Sequence, residues 1–560
     1  MKLTAAQKNF LKTNSPIFAK PNLNKEQKLL LKPFVSNINK NPYSINMLSP
    51  ETVAAVCSRS SRTTGDLREV LAKEYLQPYI SQKNKHGRSM QNFVNFLHKN
   101  TVYDIFANPK ARQFFVKWLA QYGDDSIAQM AGTAIVFPAI SQIAIKHIQN
   151  LRQGAAFLEQ STRYVNFDQK IHGRYKYYTD TSLKKMGLTS EYEAAMDNLF
   201  VTYKQLNTTL TKTLSKKYTT ESPKVLAAYI FDNIRLILPT ATLGQMAMFA
   251  SGQAYEYLIG KSLKHNLNEV KWVGLSLYSE LSKTIPAFLT RIESEASEDY
   301  QNYLVGSNKV INNILKQDFK ELLVPQKQSD GVNVIDFDKN GENKVIAALL
   351  YKNTNTSFNQ TLKAVQNLST SKKEEILKKV LGNRKARWYK LPRALEYANF
   401  SYEATTNIGA WRDVQRHRIK SQIRSKFTPY LGYSVPPLIK DENLESIFTN
   451  AVEKVQNVYE KISKIDIDVA EYSTCLAHNT KYIVNTNLRA VFWEAELRTI
   501  SQGHFDYRKL EQQIAKLVIK HYPLLSKYLM VDFNNYLMAR RGSTDNILKR
   551  EQELKNALKN

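Results

Sequence analysis

Three groups of residues in this 560-residue chain have types and spacings that could do chemistry. In the run EQSTRY, Glu159, Ser161 and Arg163 alternate, so an extended segment would put them on one side, with Gln160 between them and Tyr164 at the end. A hydroxyl beside a guanidinium suits a phosphate, because Arg offers a planar fork of donors and Ser a short one. A surface strand with an ordinary Glu–Arg pair would read the same way.

The second group is Arg416, His417 and Arg418, three cation-capable side chains after an aromatic and apolar run. Charge concentrated at the edge of a core suits an anionic, planar ligand. A basic helix end satisfying its terminal carbonyls fits the triplet equally. In the third group, Asn487, Val491, Glu494 and Arg498 fall at helical spacing. A helix there would align Asn487 and Arg498 on one face about 16 Å apart, at opposite ends of an extended ligand. As a pattern alone, it also describes an amphipathic helix.

Elements must hold these groups in place. Residues 1–65 read as a polar lead-in that ends on a helix start, with Ser49 as N-cap. Helical spacing of apolar residues recurs around 91–106, 130–150, 192–218 and 266–292. The stretch 326–344 is a break in which Val332 to Phe337 alternate as a strand opening a second unit. The expected division is therefore a lead-in (1–65), a first unit (66–325), a second unit (326–545) and a charged tail (546–560).

The length exceeds what one hydrophobic core spans. An apolar fraction of 43% and a charged fraction of 23% exclude a disordered or fibrous chain. The N-terminal run has no apolar core of signal-peptide length. The most apolar stretch, 131–148, is broken by Pro138, Ser141, Gln142 and Lys146, which suits a buried helix better than a membrane span. Two distant cysteines, Cys57 and Cys475, exclude a disulfide framework and a cysteine-based zinc site, so a reducing, cytoplasmic setting is expected. A formal net charge of +29 attracts phosphates, from nucleotides up to nucleic acid, although the lysines are spread out rather than clustered.

Two pairs of stretches look like diverged copies in the same order: 123–164 with 390–430, and 235–258 with 473–497. Across these copies the chain resembles the flavin-dependent thymidylate synthases, whose motif is RHRxxSxNExSxRY. Ser161 stands seven residues after 151–153, where the triplet is Leu151-Arg152-Gln153, whereas the second copy keeps the triplet at 416–418 and has Lys426 in place of the serine. Each copy thus resembles a complementary half of one motif. Arg235 before ILP resembles a further family arginine, with Ser473 at its place in the second copy. Asn487, Arg489 and Arg498 match the family's later positions, where the first copy has Ser251, Gln253 and Ser262.

The resemblance implies a helix-rich α+β fold of two tandem units forming a pseudo-dimer. It also implies a homodimer of such chains, and the transfer of a methylene group from methylenetetrahydrofolate to dUMP with FAD and NADPH. Carried over by position, Glu159, Gln160, Ser161, Arg163, Tyr164, Arg235 and Arg498 would hold dUMP. Ser126, Arg416, His417, Arg418, Asn487 and Arg489 would hold FAD, and Arg498, against the uracil ring, would be the catalytic residue. Departures from the family pattern are the Gly123, Ser126 and Gln129 remnant of a GHxSxxEH box, Glu396 alone in the second copy, Asp413 for a glutamine, and Trp493 at a usual flavin contact. A diverged member that binds or methylates RNA or DNA is the alternative.

Overall fold

The computed structural model describes residues 3–82, 84–100, 108–121, 125–152, 154–324, 331–539, 541, 549–553 and 556. Gly123, Gln153 and most of the charged tail lie outside the described residues. The chain divides into two compact units. The first comprises Met1–Leu206, Ile237–Pro325 and Ser446–Cys475, and the second Asn207–Leu236, Gln326–Glu445 and Leu476–Asn560.

The first unit is built on a four-stranded antiparallel sheet of β1 (Tyr43–Ile45), β2 (Gly132–Ser141), β3 (Ala155–Glu159) and β6 (Leu243–Ser251), in the order β1-β2-β6-β3. A ribbon of β4 (Lys170–Ile171) and β5 (Arg174–Tyr175) lies outside it. The stretch 130–150, expected as one helix, is instead β2 followed by the helix α1 (Gln142–Gln149). Its apolar run is nearly continuous because both faces of β2 are buried, which hides the strand's alternation. Ile135 and Phe137 join Met246 and Met248 in a core with residues of α1, α3 (Gly252–Leu263) and α4 (Asn268–Leu281). Ala134, Val136 and Ala247 face the other way, into a core with Val56, Leu67 and Leu71. The ladder shifts register between Phe137 and Ile140, where Pro138 has no N–H to donate.

The second unit repeats this plan. Its strands β7 (Gly331–Phe337), β8 (Asn399–Asn407), β9 (Ser421–Arg424) and β10 (Asn479–Asn487) lie in the order β7-β8-β10-β9. β8 leads into α5 (Ile408–Val414) and then β9, as β2 leads through α1 to β3; β10 leads into α6 (Leu488–Arg498), as β6 leads into α3. All four strand-to-helix junctions have the same cap. Ser141, Ser251, Asn407 and Asn487 each accept the backbone N–H of the residue three on, an alanine every time, at 3.1, 3.3, 2.8 and 3.0 Å. The paired stretches seen in the sequence are thus duplicated structural units, and the architecture is a helix-rich α+β one.

The remaining helices close each core. α7 (Phe505–His521) contacts β7, β8, α5 and α6 and buries Tyr507, Leu510, Ile514 and Val518 in the second unit. α2 (Pro223–Ile234) belongs to the same unit, where Asn233 Oδ1 accepts the Leu438 N–H at 3.2 Å and the Asp232 carbonyl lies 2.7 Å from His504 Nε2. In the first unit the segment 446–475 is tied down by Tyr472, whose hydroxyl donates to Glu269 at 2.8 Å, and by Thr240, whose hydroxyl donates to the Glu471 carbonyl at 2.7 Å. Of the other expected helices, 91–106 ends as a helix at Lys99, with 101–106 outside the described residues; 192–218 is helical to Lys217, in a helix that starts at Thr189; 266–292 divides into α4 and a 3-10 segment at Pro286–Glu293; and Ser49 caps Pro50–Ser58.

Candidate functional site

In the second unit, α5 ends at Val414 and the chain passes through a six-residue loop, Gln415 to Lys420, before β9. Arg416, His417 and Arg418 occupy that loop, with Arg416 exposed and the other two half-buried. α6 runs beside it and ends on Arg498. Arg498 Nε donates to His417 Nε2 at 2.8 Å, and its Nη2 donates to the Asp413 carbonyl at 2.6 Å. These two bonds hold the guanidinium plane, while no described residue accepts from Nη1 within hydrogen-bond distance. The Tyr507 ring lies 5.4 Å from the same guanidinium.

The bond to Arg498 demands a neutral imidazole, since an imidazolium has no acceptor nitrogen. Burial supplies that condition. It pushes His417 down to about 3, helped by the cations of Arg498, Lys420 and Arg416 and opposed by Glu494. Behind the imidazole lies a buried acid–base group. Lys420 Nζ donates to both oxygens of Glu494, at 2.6 and 2.8 Å, and the Glu494 charge acts on the buried Glu511. Burial would raise Glu494, but the charge His417 would carry if protonated, the Lys420 ammonium with its hydrogen bonds, and Arg498 outweigh it and hold it below the usual carboxylate range. Burial and the Glu494 charge drive Glu511 well up.

Asp413 gathers the arginines. Its carboxylate bonds Arg416, and its Oδ2 lies 3.3 Å from Nη1 of Arg235, which is buried and also donates to the Gly409 carbonyl at 3.1 Å. Arg235, which the sequence places in the first copy, therefore stands in the second unit with Asp413, Arg416, His417 and Arg498. The expected FAD residues do not all meet. Asn487 caps α6 at its start, and Arg489 is bound there to Glu396 at 2.8 Å and to the Leu391 carbonyl at 2.8 Å. That end is about 16 Å along the helix from Arg498. Trp493, between them, is exposed.

In the first unit, EQSTRY is not extended throughout. β3 stops at Glu159, and Ser161 to Val165 form a turn in which the Ser161 carbonyl accepts the N–H groups of Tyr164 and Val165 at 3.3 and 3.2 Å. The Ser161 hydroxyl accepts the Arg163 N–H at 3.2 Å, the local bond by which serine favours turns over strands. Glu159 pairs with buried Lys146 at 3.0 Å and takes Gln149 at 3.1 Å. Gln160 is buried and donates to the Thr63 carbonyl at 2.7 Å; Arg163 is buried, and Tyr164 is exposed with Arg62 over its ring at 5.7 Å. Ser126 lies exposed on a 3-10 segment of this unit.

Sequence reasoning missed Lys420 and Glu511. Lys420 stands two residues after Arg418, and the only signal was a lysine next to a strand start. Glu511 lies on the solvent-rich sequence of α7 and becomes visible only when that helix packs.

The model of the thymidylate synthase complementing protein family matches residues 49–287 and 333–524. Among similar proteins, a UPF0159 protein of Chlamydia muridarum is 31% identical over 530 residues, which cover 92% of this chain and 97% of the relative. One from Chlamydia pneumoniae is 29% identical over 527 residues, covering 92% and 96%. A UPF0159 protein of Thermoplasma acidophilum is 26% identical over 472 residues, covering 77% and 91%. With the match spanning most of both duplicated units, the chain belongs to the thymidylate synthase complementing protein family.

Proposed function

We propose that the chain is a flavin-dependent thymidylate synthase that converts dUMP to dTMP, taking carbon from methylenetetrahydrofolate and reducing power from NADPH. The observation that carries this reading is Arg498, held by His417 and the Asp413 carbonyl with Nη1 left without an acceptor among the described residues. A fixed cation with a spare donor is suited to a pyrimidine on which negative charge develops at N3. Its preorganisation costs nothing at the moment of reaction.

The residues present fit an anionic flavin nucleotide. Arg416 and Arg418, beside the neutral His417, supply two cations from one loop. These three, with Asn487 and Arg489, would hold FAD, whose reduced ring supplies a hydride when bound. Glu159, Gln160, Ser161, Arg163, Tyr164 and Arg235 would bind dUMP, with Arg498 against its base. Ser126 would join the FAD set. A thymidylate synthase without flavin needs a cysteine thiolate, and both cysteines are buried, with burial pushing Cys57 up to about 12.

Purified protein is expected to be yellow with bound oxidised flavin, or to become so on adding FAD, and to oxidise NADPH faster when dUMP is present. Colourless protein that takes up no FAD overturns the reading. Salt-dependent binding of a polynucleotide without dUMP turnover would favour the alternative, a family member acting on RNA or DNA, to which the +29 charge points.

A further inference from the structure

The buried group behind His417 has no place in the family motif, and the reading of Arg498 does not use it. Lys420, Glu494 and Glu511 come from three elements, the loop before β9, α6 and α7, and all three side chains are buried. A lysine without water around it is costly unless paired, and here it is paired through both oxygens of one carboxylate. Burial and the Glu494 charge drive Glu511 well up, and its Oε1 has no partner among the described residues.

The location of this group gives it a function. Glu494 stands one helical turn before Arg498, and its charge acts on His417 to draw a proton onto the imidazole. Among the described residues, the charges that act most on His417 are Arg416 and Lys420 from its own loop, and Glu494 and Arg498 from α6; Glu511 of α7 acts on Glu494. Among these Glu494 alone favours an imidazolium. We propose that Lys420 is a positioning residue: by occupying both oxygens of Glu494 it keeps His417 Nε2 a bare acceptor, and this holds the guanidinium of Arg498 in the plane the substrate meets. With Lys420 gone, the unpaired Glu494 carboxylate favours an imidazolium, His417 takes a proton from solvent, Nε2 becomes a donor, and two like charges face each other across 2.8 Å.

The inference rests on the proposed role of Arg498, but its central step can be read without turnover. The test is the ring protonation of His417 in the full-length protein, followed by nitrogen NMR of the labelled histidines and assigned with His417→Gln. In the wild type the His417 ring stays neutral over the whole range from about pH 5 to 8. In Lys420→Met its midpoint is expected to enter that range, at least a tenfold increase in proton affinity. In Lys420→Met/Glu494→Gln, where both charges are gone, it is expected to return to neutral throughout.

A folded Lys420→Met protein whose His417 signal is unchanged overturns the proposal. If Lys420→Met does not fold, the double variant decides: recovery of the fold with a neutral His417 supports the charge pairing, and continued unfolding overturns it. A parallel measurement of dUMP-dependent NADPH oxidation against pH should show the acid limb of Lys420→Met moved upward. Absence of that activity in wild type and variants alike would count against the enzyme reading while leaving the NMR result to decide the role of Lys420.

Discussion

Arg235 and Asp413 are 178 positions apart in sequence, yet an Arg235 Nη1 to Asp413 Oδ2 distance of 3.3 Å makes them a buried ion pair of the second unit. The pair joins a residue of the first repeat to one of the second at the centre of the candidate site. Asp413 also binds Arg416 through its carboxylate and Arg498 through its carbonyl, so one residue orders three guanidinium groups.

Removing that carboxylate should be severe. Asp413→Ala leaves Arg235 buried without its counter-charge, and breaking one side of such a pair costs about 3–5 kcal/mol. Urea unfolding of the variant should show a loss of that size, and a change under about 1 kcal/mol would show the pair to be dispensable.

Arg498→Lys keeps the charge but loses the fork that meets both His417 and the Asp413 carbonyl. Turnover of dUMP should fall about 10²–10³-fold, the range for removing one preorganised donor, while FAD stays bound. Steady-state kinetics alongside flavin absorbance separate the two effects.

The division of ligands between motif halves is open to direct measurement. Arg163→Ala should weaken dUMP binding about tenfold to a hundredfold and leave FAD in place, whereas Arg418→Ala should lose FAD. Calorimetric titration with each ligand checks this, and equal effects on both would refute the assignment.

Stability of the first unit should depend on pH through Glu269. This carboxyl is buried, accepts from the Ser141 N–H at 2.8 Å and the Tyr472 hydroxyl at 2.8 Å, and is raised by burial to about 7. A raised folded value means that its contribution is present below the ordinary carboxylate range and is lost as pH rises through about 7. Glu269→Gln should therefore remove a pH dependence on the order of 3 kcal/mol between pH 5 and 8, measured by chemical unfolding at both. His417 acts in the opposite direction. Its lowered value takes stability away as pH falls from about 6.5 toward about 3.

The four junction caps can be tested singly. Asn487→Ala removes the acceptor for the Ala490 N–H and should cost about 1 kcal/mol. Asn487→Asp, which keeps an acceptor, should cost much less by the same unfolding measurement.

Local signals were legible where a residue's own neighbours decide its structure. The spacing from Asn487 to Arg498 gave α6 and its ends, and the alternation of Val332 to Phe337 gave β7. The order of the paired stretches gave the duplication. Where burial decides, the sequence was silent or misleading. β2 reads as helix because both its faces are apolar, and Glu159 to Tyr164 reads as a strand because alternation cannot register the Ser161 hydroxyl bond that turns the chain. Of the group around Arg498, the motif supplied His417. Lys420 and Glu511 depend on α6 and α7 meeting that loop, and no spacing in the sequence encodes it.

The assignment of Asn207–Leu236 to the second unit and of Ser446–Cys475 to the first has a genetic consequence. A gene cut between the repeats, near residue 326, would give two fragments that each lack a segment of their own fold and carry one belonging to the other. Neither fragment is expected to be a stable product alone, and co-expression should restore both by complementation.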